Sequence, residues 1–554
     1  LGALYSNPDS LYFLGTRGGG WAEGSAFGGS DRFYHDSSIL TQEMRLDVTS
    51  QLTDKWKARV GLDIKSHKLN YYEVINPWED VSALRQRFAE QWDDFGIDGL
   101  EFTENLNSPI PDEGEGNGQW DQGESFDDFN GNGKWDDFVE PMELAAYFQN
   151  TFEVPWMVIN YGIRIDMVNY NSQIWGVPPP WQDSLGVYSP GKPYFYSDLN
   201  NNSQWDDGEE FSNIAGLPRQ AVFLEDSDWF YKISPRLGFS HVITDKSTFT
   251  FNYGLYYQTP VYQNIYLNTN RLENPEELFE EGEGTVGNAT MGAEKTQSYS
   301  VAFNVQVGQS WAYSIAAWVK DMDQMTRFTH ERSGVYQYQI SRNGDYGSAK
   351  GVDLTLEWRS ASFGSQLQYT YSVAKASSEY AWQSISGQYV DAPSQERLTY
   401  FDRPHDLTFY GYTILPFDIN MGLTAFYMSG YPYTPIIFRG KDPVEDARNP
   451  NSKRGPSYRN VNLTFSKYFI AGEHRFSLGL NFFNVLDIRN AVDVWPMTGK
   501  PDNPGSYYTN YVGLPGTDPN GVGVSADKSS AYYDRPWRLS SPREINFFIR
   551  IDFD

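Results

Sequence analysis

Three short acidic segments have a spacing of oxygen-bearing side chains that could bind a divalent cation. Each places Asp, Glu or Asn at positions 1, 3, 5 and 9 of a loop, and two of them have glycine at position 6. Ca²⁺ takes about six to eight oxygen ligands, which alternate residues around a glycine-permitted tight turn can supply. The candidate ligands are Glu113, Glu115, Asn117, Asp121 and Glu124 in the first copy, Asp128, Asn130, Asn132, Asp136 and Glu140 in the second, and Asp198, Asn200, Asn202, Asp206 and Glu209 in the third.

The repetition of these segments favours calcium over a general acidic surface. All three copies share an Asn-(Gly/Ser)-x-Trp-Asp core, and the pattern resembles EF-hand calcium loops that lack the flanking helices. The second copy departs from it, since Val139 stands at position 12 and Glu140 follows at position 13. The alternative is a set of solvated acidic turns, because Asp, Asn and Gly favour turns without any metal. We expect structural Ca²⁺ that orders the two long segments holding the repeats.

Residues suited to catalysis form no recognisable arrangement. The six histidines are scattered, and the sequence contains no HExxH, GxSxG or glycine-rich phosphate-binding motif. His405 belongs to the start of a predicted strand, where we expect a structural role. The sequence therefore assigns no catalytic residue and predicts that the chain is not an enzyme. A hydrolase whose triad assembles from distant segments stays open as an alternative.

Composition narrows the class of protein further. The 554 residues include 43 Lys and Arg against 72 Asp and Glu, which gives a net charge of −29 and disfavours nucleic-acid binding. Cysteine is absent, so disulfides and thiolate metal sites are excluded. A mean hydropathy of −0.57 excludes a helical membrane protein, although aromatic residues make up 16% of the chain. Many aromatic residues in a polar chain indicate numerous short strands with one apolar and one polar face.

The elements that must position any site are strands with period-two alternation. In 157–166, for example, apolar residues at the odd positions (Met157, Ile159, Tyr161, Ile163 and Ile165) interleave with Asn160, Gly162, Arg164 and Asp166. Fifteen strand-like segments follow from this pattern: 38–52, 56–75, 141–154, 157–171, 228–243, 246–260, 295–308, 311–326, 347–360, 363–378, 402–414, 418–432, 457–469, 473–487 and 540–553.

The connections between these segments alternate strictly between short turns and long polar loops. The predicted long loops are 76–140, 172–227, 261–294, 327–346, 379–401, 433–456 and 488–539. An outer-membrane barrel places short turns on the periplasmic side and long loops outside, whereas a soluble sandwich has no such requirement. The predicted fold is therefore an all-β, antiparallel transmembrane β-barrel with long extracellular loops. A soluble β-rich protein is the alternative.

Several motifs, in their order and spacing over residues 230–554, resemble the barrel of TonB-dependent outer-membrane receptors. They are Ser234-Pro235-Arg236-Leu237-Gly238-Phe239, 251–260 (FNYGLYYQTP), Glu294-Lys295-Thr296, Lys350-Gly351-Val352-Asp353, Asp402-Arg403-Pro404-His405-Asp406-Leu407, Gly430-Tyr431-Pro432-Tyr433-Thr434-Pro435, Arg459-Asn460-Val461-Asn462-Leu463, Asn484-Val485-Leu486-Asp487 and the aromatic-rich final strand.

This resemblance implies a plug domain and a barrel of about 22 strands. The sequence shows neither the plug nor an energy-coupling segment, and Leu11–Leu14 raises the strand count only to 16. Residues 1–554 are thus interpreted as one partial barrel, with a processed or truncated beginning at Leu1. The implied function is TonB-coupled uptake of a scarce nutrient: a siderophore, cobalamin, an oligosaccharide or a peptide. A passive porin of about 16 strands and a calcium-dependent surface adhesin are the alternatives.

The resemblance also implies where the protein lies and what it contacts. We expect a multi-pass barrel in a bacterial outer membrane, surrounded by outer-membrane lipid. A TonB-type coupling protein would act through the plug, a surface lipoprotein is a further partner, and nucleic acid is excluded. Six tyrosines towards the outer loops are candidates for stacking on a small-molecule, sugar or peptide ligand, although girdle or loop packing is the alternative role for each. They are Tyr256, Tyr257, Tyr262, Tyr266, Tyr431 and Tyr433.

Overall fold

The computed structural model describes most of the chain. The described residues are 33–75, 83–88, 120–122, 124, 126, 133–177, 191–199, 205–212, 216–272, 275, 278–279, 284–333, 336–378, 396–440, 442–446, 448–471, 474–503, 505 and 538–552. Within these residues no helix has the length and apolar character needed to cross a bilayer.

The described residues form mostly antiparallel strands. In chain order they are β1 (Phe33–Thr53), β2 (Trp56–Ile75), β3 (Ala83–Phe88), β4 (Met142–Val154), β5 (Met157–Asn169), β6 (Gln173–Trp175), β7 (Phe195–Ser197), β8 (Phe211–Ser212), β9 (Gln220–Val222), β10 (Leu224–Asp226), β11 (Phe230–Thr244), β12 (Ser247–Gln258), β13 (Thr285–Val286), β14 (Glu294–Val307), β15 (Trp311–Ser333), β16 (Tyr336–Arg359), β17 (Phe363–Ala376), β18 (Arg397–Leu398), β19 (His405–Leu415), β20 (Ile419–Met428), β21 (Pro432–Tyr433), β22 (Ile436–Arg439), β23 (Asp442–Glu445), β24 (Lys453–Arg454), β25 (Tyr458–Ala471), β26 (His474–Phe483) and β27 (Glu544–Asp552). Among the helical elements whose bounds the described residues give are α1 (Tyr262–Tyr266) and 3₁₀ turns at Thr269–Arg271 and Pro416–Asp418.

Fifteen long strands form one continuous antiparallel wall. Each pairs with the next along the chain, in the order β1, β2, β4, β5, β11, β12, β14, β15, β16, β17, β19, β20, β25, β26, β27. These fifteen strands coincide with the fifteen predicted segments, so the all-β antiparallel prediction is confirmed.

The two outer strands of the wall run in the same direction. Both β1 and β27 lead towards the end of the wall that carries the short turns, and their described residues do not pair with each other. Pairing them directly would create a parallel contact. Because bacterial barrels are antiparallel throughout, closing this wall requires an odd number of further strands between β1 and β27.

One predicted loop is a strand hairpin instead. Residues 327–346 continue β15 and β16, whose ladder pairs Arg327 with Arg342 and runs out to Ser333 and Tyr336. The prediction of a loop was wrong because charged residues mask an alternation in which Tyr336, Tyr338 and Ile340 share one face. The hairpin projects beyond the wall and packs against neighbouring connections.

The wall has one apolar and one polar face. On β5, the side chains of Tyr161, Ile163 and Ile165 are exposed on one face, while Arg164 and Asp166 lie on the other. Apolar side chains that are exposed to solvent over a whole wall indicate a lipid-facing surface.

Aromatic side chains lie at both margins of the apolar face. Trp311 and Trp358 stack with ring centroids 5.4 Å apart beside the short turns, and Tyr231 and Tyr371 are exposed near the other margin. Aromatic girdles flank the apolar band of membrane barrels in this way. The strand segment from Tyr231 to His241, tilted by about 40°, spans about 25 Å, which matches the thickness of such a band.

The best-packed core lies in the outer connections and not in the wall. Trp175, Phe195, Leu272, Tyr338 and Ile340 belong to one fully buried cluster, which joins segments from three separate connections. The Trp175 indole N–H donates to the Leu272 carbonyl at 2.7 Å, so the polar atom of this ring is satisfied. The cluster holds the outer connections together as one packed unit.

Candidate functional site

A cavity of about 480 Å³ lies between the polar face of the wall and the segment that connects β12 to α1. It is towards the long-loop end of the wall, because β4, β5 and β11 contribute residues from their outer halves. The lining residues that bear charge or a phenol are Asp63, Lys65, Glu143, Arg164, Asp166, Lys232, Tyr257 and Tyr262.

Most charges in this cavity are paired along the wall. Arg164 Nε lies 2.6 Å from Asp166 Oδ1, and Lys65 Nζ lies 4.0 Å from Asp63 Oδ2. Lys232 is the exception: within the described part of the chain no carboxylate oxygen lies within 4.0 Å of its ammonium group. Its nitrogen instead lies 5.8 Å from the centroid of the Tyr257 ring. Across the strand pair Lys232 faces Asp166, which also lines the cavity.

Tyr262 anchors α1 to the wall above the cavity. Its hydroxyl donates to Glu143 Oε1 at 2.7 Å, and its ring lies 5.7 Å from that of His67. His67 in turn contacts Thr41 Oγ1 through Nδ1 at 2.9 Å, and its Nε2 lies 3.9 Å from Glu143 Oε1. Burial, and then the adjacent carboxylate of Glu143, raise the pKa of Tyr262, which therefore stays a neutral donor.

Tyr266 has no surface for a ligand. Its side chain is fully buried, and its hydroxyl donates to the carbonyl of Tyr170. Burial raises the pKa of Tyr266 well above its usual value. The predicted ligand contact is therefore wrong for Tyr266, because α1 turns this residue into a buried cluster with Tyr170, Ile265 and Met291.

The other candidate tyrosines lie at separate positions in the structure. Tyr256 lies on β12 with its ring 4.7 Å from the guanidinium carbon of Arg236. Tyr431 is half-exposed beneath Arg403, whose guanidinium carbon is 3.6 Å from its ring centroid. Tyr433 is part of β21, and burial raises the pKa of its phenol. The six tyrosines thus do not form one site: Tyr257 and Tyr262 line the cavity, and the remaining four do not.

The described residues of the predicted calcium loops are Asp121, Glu124, Asp136, Glu140, Asp198, Asp206 and Glu209, and the remaining eight candidates lie outside the described residues. The first and third copies fold alike. The backbone N–H of Asp121 donates to Glu124 Oε2 at 2.7 Å, and that of Asp206 donates to Glu209 Oε2 at 2.9 Å. Trp120 and Trp205 each donate to the carbonyl of the corresponding glutamate at 3.3 Å.

These two turns do not by themselves form a metal site. Among the described residues, no group of three or more acidic or histidine side chains is arranged to hold a metal ion. Calcium binding stays a prediction of the sequence. The shared fold of the two turns supports only the conclusion that the repeats are equivalent in structure.

At the outer rim lies a buried ion pair of which sequence motifs indicated only one of the two residues. The Asp402 carboxylate, 1% exposed, pairs with the guanidinium of Arg454, and the backbone N–H of Ala374 donates to Asp402 Oδ1 at 2.7 Å. Arg454 also donates to the Asp402 carbonyl at 2.7 Å. Asp402 stands in one of the family-like motifs, whereas nothing marked Arg454, which lies 52 residues further along the chain.

Comparisons with known proteins show similarity over the whole wall and not at one site. Solved structures similar to this chain include the copper transporter OprC (11% identity, TM-score 0.46, covering 94% of this chain and 57% of that one). Others are the ferric-catecholate import receptor Fiu from E. coli K12 (12%, TM-score 0.43, 83% and 52%) and the ferric yersiniabactin uptake receptor FyuA from Yersinia pestis (10%, TM-score 0.45, 83% and 51%). This chain covers little more than half the length of these receptors.

A comparison with curated protein sequences finds no match. The family profile described as TonB dependent receptor-like, beta-barrel, matches residues 2–485. That match covers most of the chain and includes all but the last of the fifteen wall strands. The chain therefore belongs to the family of TonB-dependent receptor-like β-barrels, whose place is the outer membrane.

Proposed function

We propose that this chain is the barrel wall of a receptor that takes up a scarce nutrient by TonB-coupled active transport. The family match over residues 2–485 is the observation that carries the proposal. A siderophore, cobalamin, an oligosaccharide and a peptide remain the candidate classes of nutrient. Proteins of this family are transporters and not enzymes, so the chemistry is binding and gating, with no bond made or broken.

The wall supplies two physical requirements of such a receptor. Between its two edge strands, its continuous ladder satisfies the backbone N–H and C=O groups, which find no hydrogen-bond partner in lipid. Its polar face offers charged side chains to a passage through the membrane, and the cavity beneath α1 places Tyr257, Tyr262 and Lys232 at the outer end of that passage. We infer that the cavity is where a ligand first meets the wall.

The proposed partners follow from the family. A TonB-type coupling protein would act through a plug in the lumen, and outer-membrane lipid would cover the apolar face. A surface lipoprotein that assists capture, and structural Ca²⁺ in the repeats of 76–140 and 172–227, stay predictions of the sequence.

Depletion of nutrients from a growth medium tests this proposal while the ligand is still unidentified. Cells with the intact gene, cells lacking it and cells lacking the energy-coupling protein are grown in one complex medium. Mass spectrometry then identifies the compounds that each strain leaves behind. The proposal expects a compound that remains in both deletion strains and disappears in the parent.

The passive-porin alternative gives a different result in the same experiment. A porin transports down a gradient, so removal of the coupling protein would leave its uptake intact. A compound that depends on this gene but not on the coupling protein would therefore contradict active transport. If the protein were a soluble adhesin, deletion of its gene would not impair uptake, and the deletion strain would consume the same compounds as the parent.

A further inference from the structure

A polar patch interrupts the apolar face of the wall at its outer margin. Arg459 lies on β25, directly opposite Tyr427 of β20, which in turn opposes Leu407 of β19. Leu407 opposes Tyr369 of β17, which belongs to the same face as the exposed Tyr371. An arginine with an exposed side chain therefore stands on the side of the wall that faces lipid.

The depth of Arg459 in the membrane follows from its strand. Phe469 lies on the same face of β25, beside the short turn to β26, and is ten residues further along the chain. At about 3.3 Å per residue and a tilt of about 40°, this separation corresponds to about 25 Å across the membrane. Arg459 therefore lies at the level of the lipid headgroups on the outer side.

The guanidinium of Arg459 keeps free donors. Its Nε donates to Ser457 Oγ at 3.2 Å, and its guanidinium carbon lies 5.8 Å from the centroid of the Tyr427 ring. Among the described residues neither Nη atom has a hydrogen-bond partner, and no carboxylate oxygen comes within 4.0 Å of them. On the side away from Tyr427, the Asn490 side chain bonds to the Arg459 backbone, so no acid opposes Arg459 on either neighbour.

Other hydrogen-bonding groups lie beside this guanidinium. The backbone N–H of His405 donates to Ser429 Oγ at 3.1 Å, which leaves the hydroxyl hydrogen of Ser429 for another acceptor. The ladder of β20 and β25, continued by one residue, sets Ser429 beside Ser457. The His405 imidazole is exposed, with its Nδ1 2.8 Å from the Tyr369 hydroxyl. Guanidinium, hydroxyl and imidazole groups are donors that suit phosphate oxygens.

Towards the membrane centre the same face is apolar. The next two cross-strand rows consist of Phe409, Ala425, Val461, Gly411, Leu423 and Leu463. A lipid whose phosphate binds at Arg459 would therefore lay its acyl chains along a surface of matching polarity. Strands added beside β1 or β27 would leave this surface as it is, because β19, β20 and β25 are interior strands of the wall.

We propose that Arg459, with Ser457, Ser429 and His405, is a binding site for the phosphate headgroup of a lipid in the outer leaflet. The donors lie at headgroup level and the surface next to them is apolar, so a lipid gains both polar and apolar contacts. A soluble phosphate would gain only the polar ones. This function is separate from nutrient uptake, since the patch lies on the outside of the wall.

Native mass spectrometry of the natural full-length protein in detergent tests this site. The probes are dioleoyl phosphatidic acid and dioleoylglycerol, which share their acyl chains and differ in the phosphate. We expect the wild type to retain one phosphatidic acid at concentrations at which dioleoylglycerol is lost, and Arg459→Gln to weaken that retention fivefold or more. Arg459→Lys keeps the charge but loses the planar pair of donors, so its affinity should lie between those of the wild type and Arg459→Gln.

Lys467→Gln is the matched control. Lys467 is exposed on the same face of the same strand, but eight residues nearer the short-turn margin, so its loss should leave retention of phosphatidic acid unchanged. Equal retention of the two probes by the wild type, or equal losses in Arg459→Gln and Lys467→Gln, would overturn the site. Inorganic phosphate at the concentration of the lipid should not displace it. Displacement would mean that the site takes a free anion, and would overturn the proposal of a lipid.

Discussion

The buried pair of Asp402 and Arg454 leads to a quantitative prediction about the outer rim. Replacing Asp402 by Asn keeps the volume of the side chain but removes the charge that Arg454 faces. Breaking a buried ion pair from one side costs about 3–5 kcal/mol. Arg454 keeps its bond to the Asp402 carbonyl and is 28% exposed, so we expect a smaller cost of about 2–3 kcal/mol.

This cost should appear as local opening of the rim and not as unfolding of the wall. The pair joins the segments around Ala374, Asp402 and Arg454, whereas the strand ladders do not depend on it. A change of 2–3 kcal/mol raises an opening equilibrium about 30- to 150-fold. Hydrogen exchange of the protein in detergent, read by mass spectrometry, should show that acceleration at Thr399 and Gly455, whose N–H groups donate to the carbonyls of Ala374 and Tyr431.

Asp418→Asn provides the control for this experiment. Asp418 is exposed in the short turn between β19 and β20, so the same substitution there should leave exchange at the rim unchanged. The Val485 amide, bonded to the Val461 carbonyl at 2.8 Å, should keep its protection in both variants. If Asp402→Asn exchanges at the rim within threefold of the wild type, the reasoning about this pair is refuted.

Three further predictions concern the loops and the wall. Ca²⁺ added after chelation should raise the thermal midpoint and slow proteolysis within 76–140 and 172–227; if neither changes, the calcium prediction is wrong. Tyr262→Phe loses the hydrogen bond to the Glu143 carboxylate, which is worth about 1.5–3 kcal/mol, so limited proteolysis after residue 260 should accelerate. Tyr257→Phe is the control and should be cleaved at the wild-type rate. Equal cleavage rates in the wild type and both variants would contradict the role of Tyr262 as an anchor. Gly162→Val should lower the urea midpoint of unfolding, because its Cβ would lie 2.7 Å from the backbone carbonyl oxygen of Phe148, which cannot move aside, and overpacking costs about 1–3 kcal/mol. Gly422→Val, whose nearest neighbour is 3.8 Å away, is the control, and an equal shift in both variants would refute the steric argument.

The strands of the wall were predictable because the information for them is local. Alternation with period two fixes which residues share a face, and turn residues such as Asp54-Lys55 and Asp245-Lys246 fix where a strand reverses. A barrel wall is built from neighbours in sequence order, so correct segments gave the correct pairing. The hairpin of β15 and β16 was missed where charged residues obscured the same alternation.

The candidate site was less predictable because it depends on contacts between distant segments. Tyr262 and Tyr266 are four residues apart in one short helix, yet one lines the cavity and the other is fully buried. The hydroxyl of Tyr262 donates to Glu143 and that of Tyr266 to the carbonyl of Tyr170, and both partners lie on or beside other strands. Arg236 stood in a motif that resembles the family, but only the register of the strands shows that it lies opposite Gly162 and Gly254.

Ion conductance of the natural full-length protein in a planar lipid bilayer tests most directly whether this wall belongs to an energised receptor. The account predicts a closed lumen that carries no steady current until a denaturant loosens it, because transport is gated and needs an outside energy source. Steady conductance of the untreated protein, independent of any ligand or coupling protein, would contradict the account and make the chain a passive channel.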